Sequence, residues 1–276
     1  MKNIDSNSPI GFFDSGIGGL TVVRSVTNLL PNENIVYFGD TARVPYGSKS
    51  NSTVIEYSME AANFLLKKNI KLLVVACNTA SSVALETLQN TLSIPVIGMI
   101  EPGSDYALHT SQNKIIGVIG TYSTINNKAY SSRLHILDPD AKVYEKACPL
   151  FVPFAEEGLV DHEALRLVAS EYLSELKSKG IDTLVLGCTH YPTLRKIIQH
   201  EIGDQVTLID SGTPAAKIVE DYLIEKGLKN SSYLPGTQEY FVSDVPAKFK
   251  EIAERFLGKE ISNINKIDLE ELIIQR

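Results

Sequence analysis

The sequence predicts an α/β fold of two similar halves with mainly parallel sheets, and three observations predict it. Short unbroken apolar runs alternate with amphipathic helical patterns, the turns that leave those runs are rich in glycine and small polar residues, and the two halves of the chain echo one another. Apolar runs without polar alternation belong to strands buried on both faces, the condition of a parallel sheet covered by helices.

In chain order the runs are Ile10 to Phe13, Ile35 to Phe38, Leu72 to Ala76, Pro95 to Gly98, Ile115 to Ile119, Thr183 to Gly187 and Val206 to Ile209. Helices fill the intervals: Val83, Leu85, Leu88 and Leu92 recur after Thr79, and Leu165, Val168, Leu173 and Leu176 recur after Asp161. Thr213-Pro214 offers an N-cap with a first-turn proline, and Tyr191-Pro192 does something similar before Leu194 and Ile197. The echo pairs Gly11 to Ser15 with Gly117 to Ser123, and VVACNT at 74–79 with LVLGCTH at 184–190. The interval from Asp14 to Cys77 is 63 residues and that from Thr121 to Cys188 is 67, so each half presents one cysteine just beyond a strand at a similar distance. Ile100-Glu101-Pro102-Gly103 is the expected crossing and Asp210-Ser211-Gly212 the expected return. The first domain is then residues 1–100 plus 210–276, and the second 101–209.

Composition narrows the function classes. The chain has 276 residues, 43% hydrophobic and 21% charged, enough for two packed cores. Its apolar runs fall far short of the roughly 20 residues that cross a bilayer, so no membrane association is expected. Residues 1–9, MKNIDSNSP, lack the apolar stretch of a secretory signal, and a cytoplasmic location follows as the expectation. A net charge of −7 without a Lys/Arg run argues against nucleic acid. It leaves room for an anionic small molecule held by backbone N–H groups at helix N-termini.

The three cysteines are read one at a time. Cys77 lies between an apolar run and a helical pattern, where the helix end is expected to lower its thiol pKa from about 8.5. A buried packing role is the competing reading. Cys188 sits in the same setting with His190 two residues on, and the pair fits two thiols facing across a cleft. Cys148, in an apolar strand-like stretch, reads as structural. No C-x₂₋₄-C spacing occurs, so no metal is expected. In Asp14-Ser15-Gly16-Ile17-Gly18-Gly19 the glycines admit a ligand close to the backbone, and Asp14 could orient or deprotonate a neighbour. The spacing is not that of a dinucleotide or phosphate loop. Asp40 to Gly47 is a loop in which Pro45, Tyr46 and Gly47 could meet a carboxylate, or an ordinary connection.

Five blocks in order, GFFDSGIGGL, YFGDTARVPYG, ACNTAS, ACPLFVP with Glu156-Glu157-Gly158, and LGCTHYP, resemble glutamate racemases along nearly the whole chain. The resemblance implies a two-domain enzyme with its active site between pseudo-symmetric halves, acting on glutamate without PLP or another cofactor. It implies Cys77 and Cys188 as acid/base thiols, Cys77 for the D and Cys188 for the L enantiomer, with Asp14 and His190 as their helpers. Asp14, Ser15, Tyr46, Gly47, Asn78, Thr79, Thr189 and His190 match substrate-holding positions, and Pro45 and Thr121 join the candidate binding set. A glutamate after CPLFVP is also implicated, with Glu156 favoured over Glu157. A homodimer and a role in supplying D-glutamate for peptidoglycan are further expectations. Two rival readings stay in view: a cysteine hydrolase with His190 as base, which accounts for only one thiol, and a non-catalytic two-lobed binding protein.

Overall fold

The computed structural model describes residues 4–245 and 249–272. Residues 1–3, at the start of the polar segment 1–9, and residues 246–248 and 273–276 of the expected first domain lie outside the described residues.

The first part of the chain gives β1 (Ile10–Asp14), α1 (Leu20–Leu29), β2 (Ile35–Gly39), α2 (Asn51–Leu66), β3 (Leu72–Val75), α3 (Asn78–Val83), α4 (Leu85–Thr91) and β4 (Val96–Ile97). The next gives α5 (Ile100–Thr110), β5 (Ile115–Gly120), α6 (Tyr122–Asn126), α7 (Ala129–Leu137), β6 (Lys142–Ala147), α8 (Phe151–Glu156) and α9 (Glu163–Ser178). Then follow β7 (Thr183–Gly187), α10 (Arg195–Ile202), β8 (Thr207–Asp210), α11 (Gly212–Glu225), β9 (Gln238–Val242), α12 (Phe249–Leu257) and β10 (Ile264–Lys266).

Two sheets result, in the orders β10-β9-β2-β1-β3-β4 and β6-β5-β7-β8. Their ladders are parallel throughout. The second sheet repeats the order of the first: β5, β6, β7 and β8 stand to one another as β1, β2, β3 and β4 do. The sequence echo is thus an echo of topology, and β9 and β10 are an addition to the first sheet alone. In β1, β2, β3 and β7 every residue is buried, as two-sided helical cover requires. One apolar cluster runs from Phe12 and Leu20 through Met99 to Leu186 and Tyr191, so both sheets share a continuous core. Truncating one of its wholly buried leucines, such as Leu186, to alanine would cost about 2–5 kcal/mol.

Several local expectations are corrected. Residues 100–103, the expected crossing, are helical: they form the first turn of α5, which leads from β4 of the first sheet to β5 of the second. Thr213 is not the N-cap of α11, which starts at Gly212; instead the Asp210 carboxylate accepts from the Thr213 N–H at 3.0 Å. The helix expected after Thr79 is divided at Ala84 into α3 and α4. Cys148 follows β6 rather than lying within it, and β6 escapes an apolar-run reading because its edge position leaves Lys142, Tyr144 and Glu145 partly or fully exposed.

Candidate active site

The site forms where the C-terminal ends of the two sheets face each other, as strand-to-helix turns in parallel sheets favour. β1 ends in Asp14, whose wholly buried carboxylate accepts from the Gly16 N–H at 2.9 Å and, weakly, from the Thr189 hydroxyl at 3.5 Å. Burial raises the Asp14 pKa against the pull of His190 and two backbone N–H groups. The following turn passes so close to the opposite sheet that a Cβ on Gly18 would lie 2.2 Å from Thr189 Oγ1 and 2.5 Å from His190 Nδ1. Only glycine fits there.

Cys77 is the N-cap of α3, with Sγ 3.5 Å from the Ala80 N–H and 3.4 Å from Ser15 Oγ. The expected lowering of its pKa by the helix end is overturned: burial first, and then the Asp14 charge, push the thiol up to about 12 despite those two hydrogen bonds. A helix of six residues offers a small field, and desolvation of the thiolate exceeds it. Asn78 and Thr79 open the helix. Asn78 Oδ1 accepts from the buried Tyr130 hydroxyl at 2.7 Å, and Thr79 Oγ1 lies 2.9 Å from Thr121 Oγ1, the N-cap of α6.

Across the cleft, Cys188 follows β7 directly, and its Sγ lies 3.8 Å from His190 Nδ1. His190 Nε2 is 2.9 Å from Glu156 Oε1 at the end of α8, so Glu156, with Glu157 behind it as the C-cap, is the glutamate that reaches the imidazole. Burial alone would pull the His190 pKa down, but hydrogen bonds and charge from Cys188 and Glu156 carry it up to about 10. Thiol, imidazole and carboxylate therefore stand in line.

The third wall is the loop after β2. Tyr46 turns its ring under the loop, where its hydroxyl donates to Asp40 Oδ2 at 2.6 Å; Asp40 also accepts from Ser243 Oγ at 2.8 Å and pairs with Arg43 Nε at 2.7 Å. The Arg43 guanidinium continues to Glu60 and lies 3.8 Å over the Tyr57 ring. One wholly buried carboxylate thus fixes the segment that presents Pro45, Tyr46 and Gly47 to the cleft.

Ser15, Pro45, Tyr46, Gly47, Cys77, Asn78, Thr79, Thr121, Glu156, Cys188, Thr189 and His190 line this one cleft, and Asp14 lies buried beneath its floor. Gly16, Val44 and Val152 also line it and were not singled out by sequence. Each is adjacent to a residue or within a block that was, so proximity along the chain was the available signal. Cys148 lies outside the lining, wholly buried, and its carbonyl accepts from Tyr191 at 2.8 Å. Among the described residues no group of three or more His, Cys, Asp or Glu is placed to hold a metal, and no helix is long and apolar enough to cross a membrane.

Comparison with known proteins bears on the family and the fold. The family model described as Asp/Glu/Hydantoin racemase matches residues 19–219. A glutamate racemase from Geobacter metallireducens is 52% identical over 261 residues, covering 95% of this chain and 97% of its own. Among solved structures, glutamate racemase from Francisella tularensis, in complex with D-glutamate, superposes with a TM-score of 0.91 at 40% identity, covering 96% of this chain and 99% of its own. A glutamate racemase isoform from Bacillus anthracis gives 0.92 at 41% identity, covering 96% and 98%.

Proposed function

The chain belongs to the glutamate racemase family, and from that premise we propose that it interconverts L- and D-glutamate by proton transfer between two cysteine thiols and the α-carbon. The observation that carries the reading is the placement of Cys77 and Cys188 at equivalent turns of two topologically matched sheets, both on one cleft.

Inversion requires a proton to leave one face of the carbon and another to arrive on the opposite face. With L-glutamate, the Cys188 thiolate takes the α-proton; the C–H pair stays on carbon and spreads into the carboxylate, and the Cys77 thiol returns a proton from the other side. The sulfurs exchange protonation states, and the D substrate runs the same steps backward. Asp14 and His190 serve as helpers of Cys77 and Cys188, with Glu156 holding His190. N–H and O–H donors from Ser15, Asn78, Thr79, Thr121 and Thr189, with the Pro45 to Gly47 backbone, hold the substrate's carboxylates. In a largely dry cleft they stabilise the developing negative charge more than water would. The reaction needs no electron sink beyond the substrate itself.

We assign the two lobes as residues 1–100 with 210–276 and 101–209, place the enzyme in the cytoplasm as a homodimer, and give it the role of supplying D-glutamate for peptidoglycan. The test is incubation with L-glutamate in heavy water without PLP or metal, followed by proton NMR and circular dichroism. Loss of the α-proton together with decay of the optical signal is the expected result. No change with glutamate, but exchange with aspartate, would overturn the substrate assignment.

A further inference from the structure

Helix α12 packs against α1, on the side of the first sheet, yet two of its adjacent residues reach the second-sheet half of the cleft. Arg255 Nη1 donates to the carbonyls of Ala155 and Glu156, each at 3.2 Å. These are the last carbonyls of α8; that of Ala155 also accepts from the Gly158 N–H at 3.2 Å, so the guanidinium braces the helix end together with the turn that leaves it. Phe256, wholly buried, sets its ring edge-on to His190, with centroids 5.2 Å apart and planes at 77°. One helix therefore touches both the residue that carries the Glu156 carboxylate and the imidazole that receives it. Gly158, just beyond, has a φ of +72°, and a Cβ there would press on the Arg255 guanidinium at 2.6 Å, so the turn leaving α8 is shaped around this contact. The family model ends at residue 219, which leaves α12 outside the matched segment.

We propose that Arg255 and Phe256 are positioning residues: the first fixes the end of α8 so that Glu156 meets His190, and the second seats the imidazole so that it faces Cys188. The consequence for turnover rests on the function proposed above, whereas the seating of the ring does not. The groups facing His190 are Cys188 from the turn after β7, Glu156 from α8 and Asp14 from β1, and their charges hold its proton. Loosening α8 or the ring weakens that hold.

The experiment compares Arg255→Ala, Arg255→Lys and Phe256→Leu with Lys250→Ala, an exposed control on the same helix. The His190 ring is titrated by proton–nitrogen NMR in the free protein, and kcat and KM are measured separately. Arg255→Ala and Phe256→Leu should move the His190 midpoint down from about 10 toward its ordinary value of 6.5. They should also lower kcat about tenfold with KM changed less than about twofold, the signature of a misplaced catalytic group. Arg255→Lys should recover part of both, and Lys250→Ala should leave both at the wild-type level. Variants that lower only the melting temperature, with midpoint and kcat intact, would overturn the proposal. A shifted midpoint with unchanged turnover would support the positioning and remove His190 from the proposed reaction instead.

Discussion

Thr79 Oγ1 and Thr121 Oγ1 meet at 2.9 Å, joining the first turn of α3, which leaves the first sheet, to the N-cap of α6, which leaves the second. Both residues line the cleft, and Thr124 Oγ1 lies within 3.4 Å of both. Replacing either threonine by valine should cost about 1 kcal/mol in urea unfolding, and the double variant should cost less than the sum, with a coupling of about 0.5–1.5 kcal/mol. Strict additivity would mean that the hydroxyls do not act as a pair.

Turnover should depend on both cleft thiols and not on the third. Cys77→Ser and Cys188→Ser should each lower kcat by about 10²–10⁴, the usual contribution of a positioned acid or base. Cys148→Ser, at a wholly buried position outside the cleft, should keep kcat near wild type while losing some thermal stability. Full activity in Cys188→Ser would end the two-thiol mechanism.

The thiol of Cys77 is held protonated in the free protein, its pKa pushed up to about 12 by burial and by Asp14. Alkylation by iodoacetamide, followed by mass spectrometry, should therefore be slow at Cys77 near neutral pH and rise steadily through pH 9. Asp14→Asn should speed it, because one of the charges opposing the thiolate is gone. A rate already at its plateau at pH 8 would contradict this.

The raised pKa of His190 also makes stability depend on pH. Its folded value, about 10, lies above the unfolded 6.5, so the folded state holds the proton more tightly. That contribution is complete below pH 6.5 and is lost as pH climbs through 10. Cys77 has the same sign at higher pH, with its share lost between 9 and about 12. Unfolding free energy should fall by a few kcal/mol, in order of magnitude, between pH 6 and pH 10, and His190→Gln should flatten most of the fall below pH 9. A wild-type curve that is flat across this interval would refute the assignment.

Asp40 gathers Arg43, Tyr46 and Ser243 around one buried carboxylate. Arg43→Ala should cost about 3–5 kcal/mol, since it strands that charge, and should raise KM through the loosened Pro45 to Gly47 segment. Tyr46→Phe should be milder, about 1–3 kcal/mol, because Asp40 keeps its other partners. Urea unfolding and steady-state kinetics check both.

What could be read from sequence follows from what is local. Leu72–Val75 and Thr183–Gly187 were legible because burial on both faces removes polar residues from the strand itself. Lys142–Ala147 and Ile264–Lys266 were not, since edge strands keep polar residues that mask the pattern. The two cysteine turns stood out through their shared strand-to-helix setting, and Tyr46 through its loop. The protonation of Cys77 was misread because it is set by Asp14 and by burial, and neither is visible in the neighbouring residues. Arg255 could not be found as a site residue: beside its pair with Glu251 one turn earlier, the carbonyls it holds lie about 100 residues earlier in the chain.

The matched strand orders also set a schedule for synthesis on the ribosome. The second sheet is complete once residue 210 has emerged, because β5 to β8 are contiguous in the chain. The first sheet must wait, its β2 edge unpaired until residues 238–242 arrive to form β9, with Ile35 aligned to Gln238 across some two hundred positions. Pairings of such separation close slowly and leave a bare edge in the meantime. During translation the later half of the cleft is therefore finished before the earlier one, and the β2 edge stays open to edge-to-edge aggregation until residue 242 has emerged.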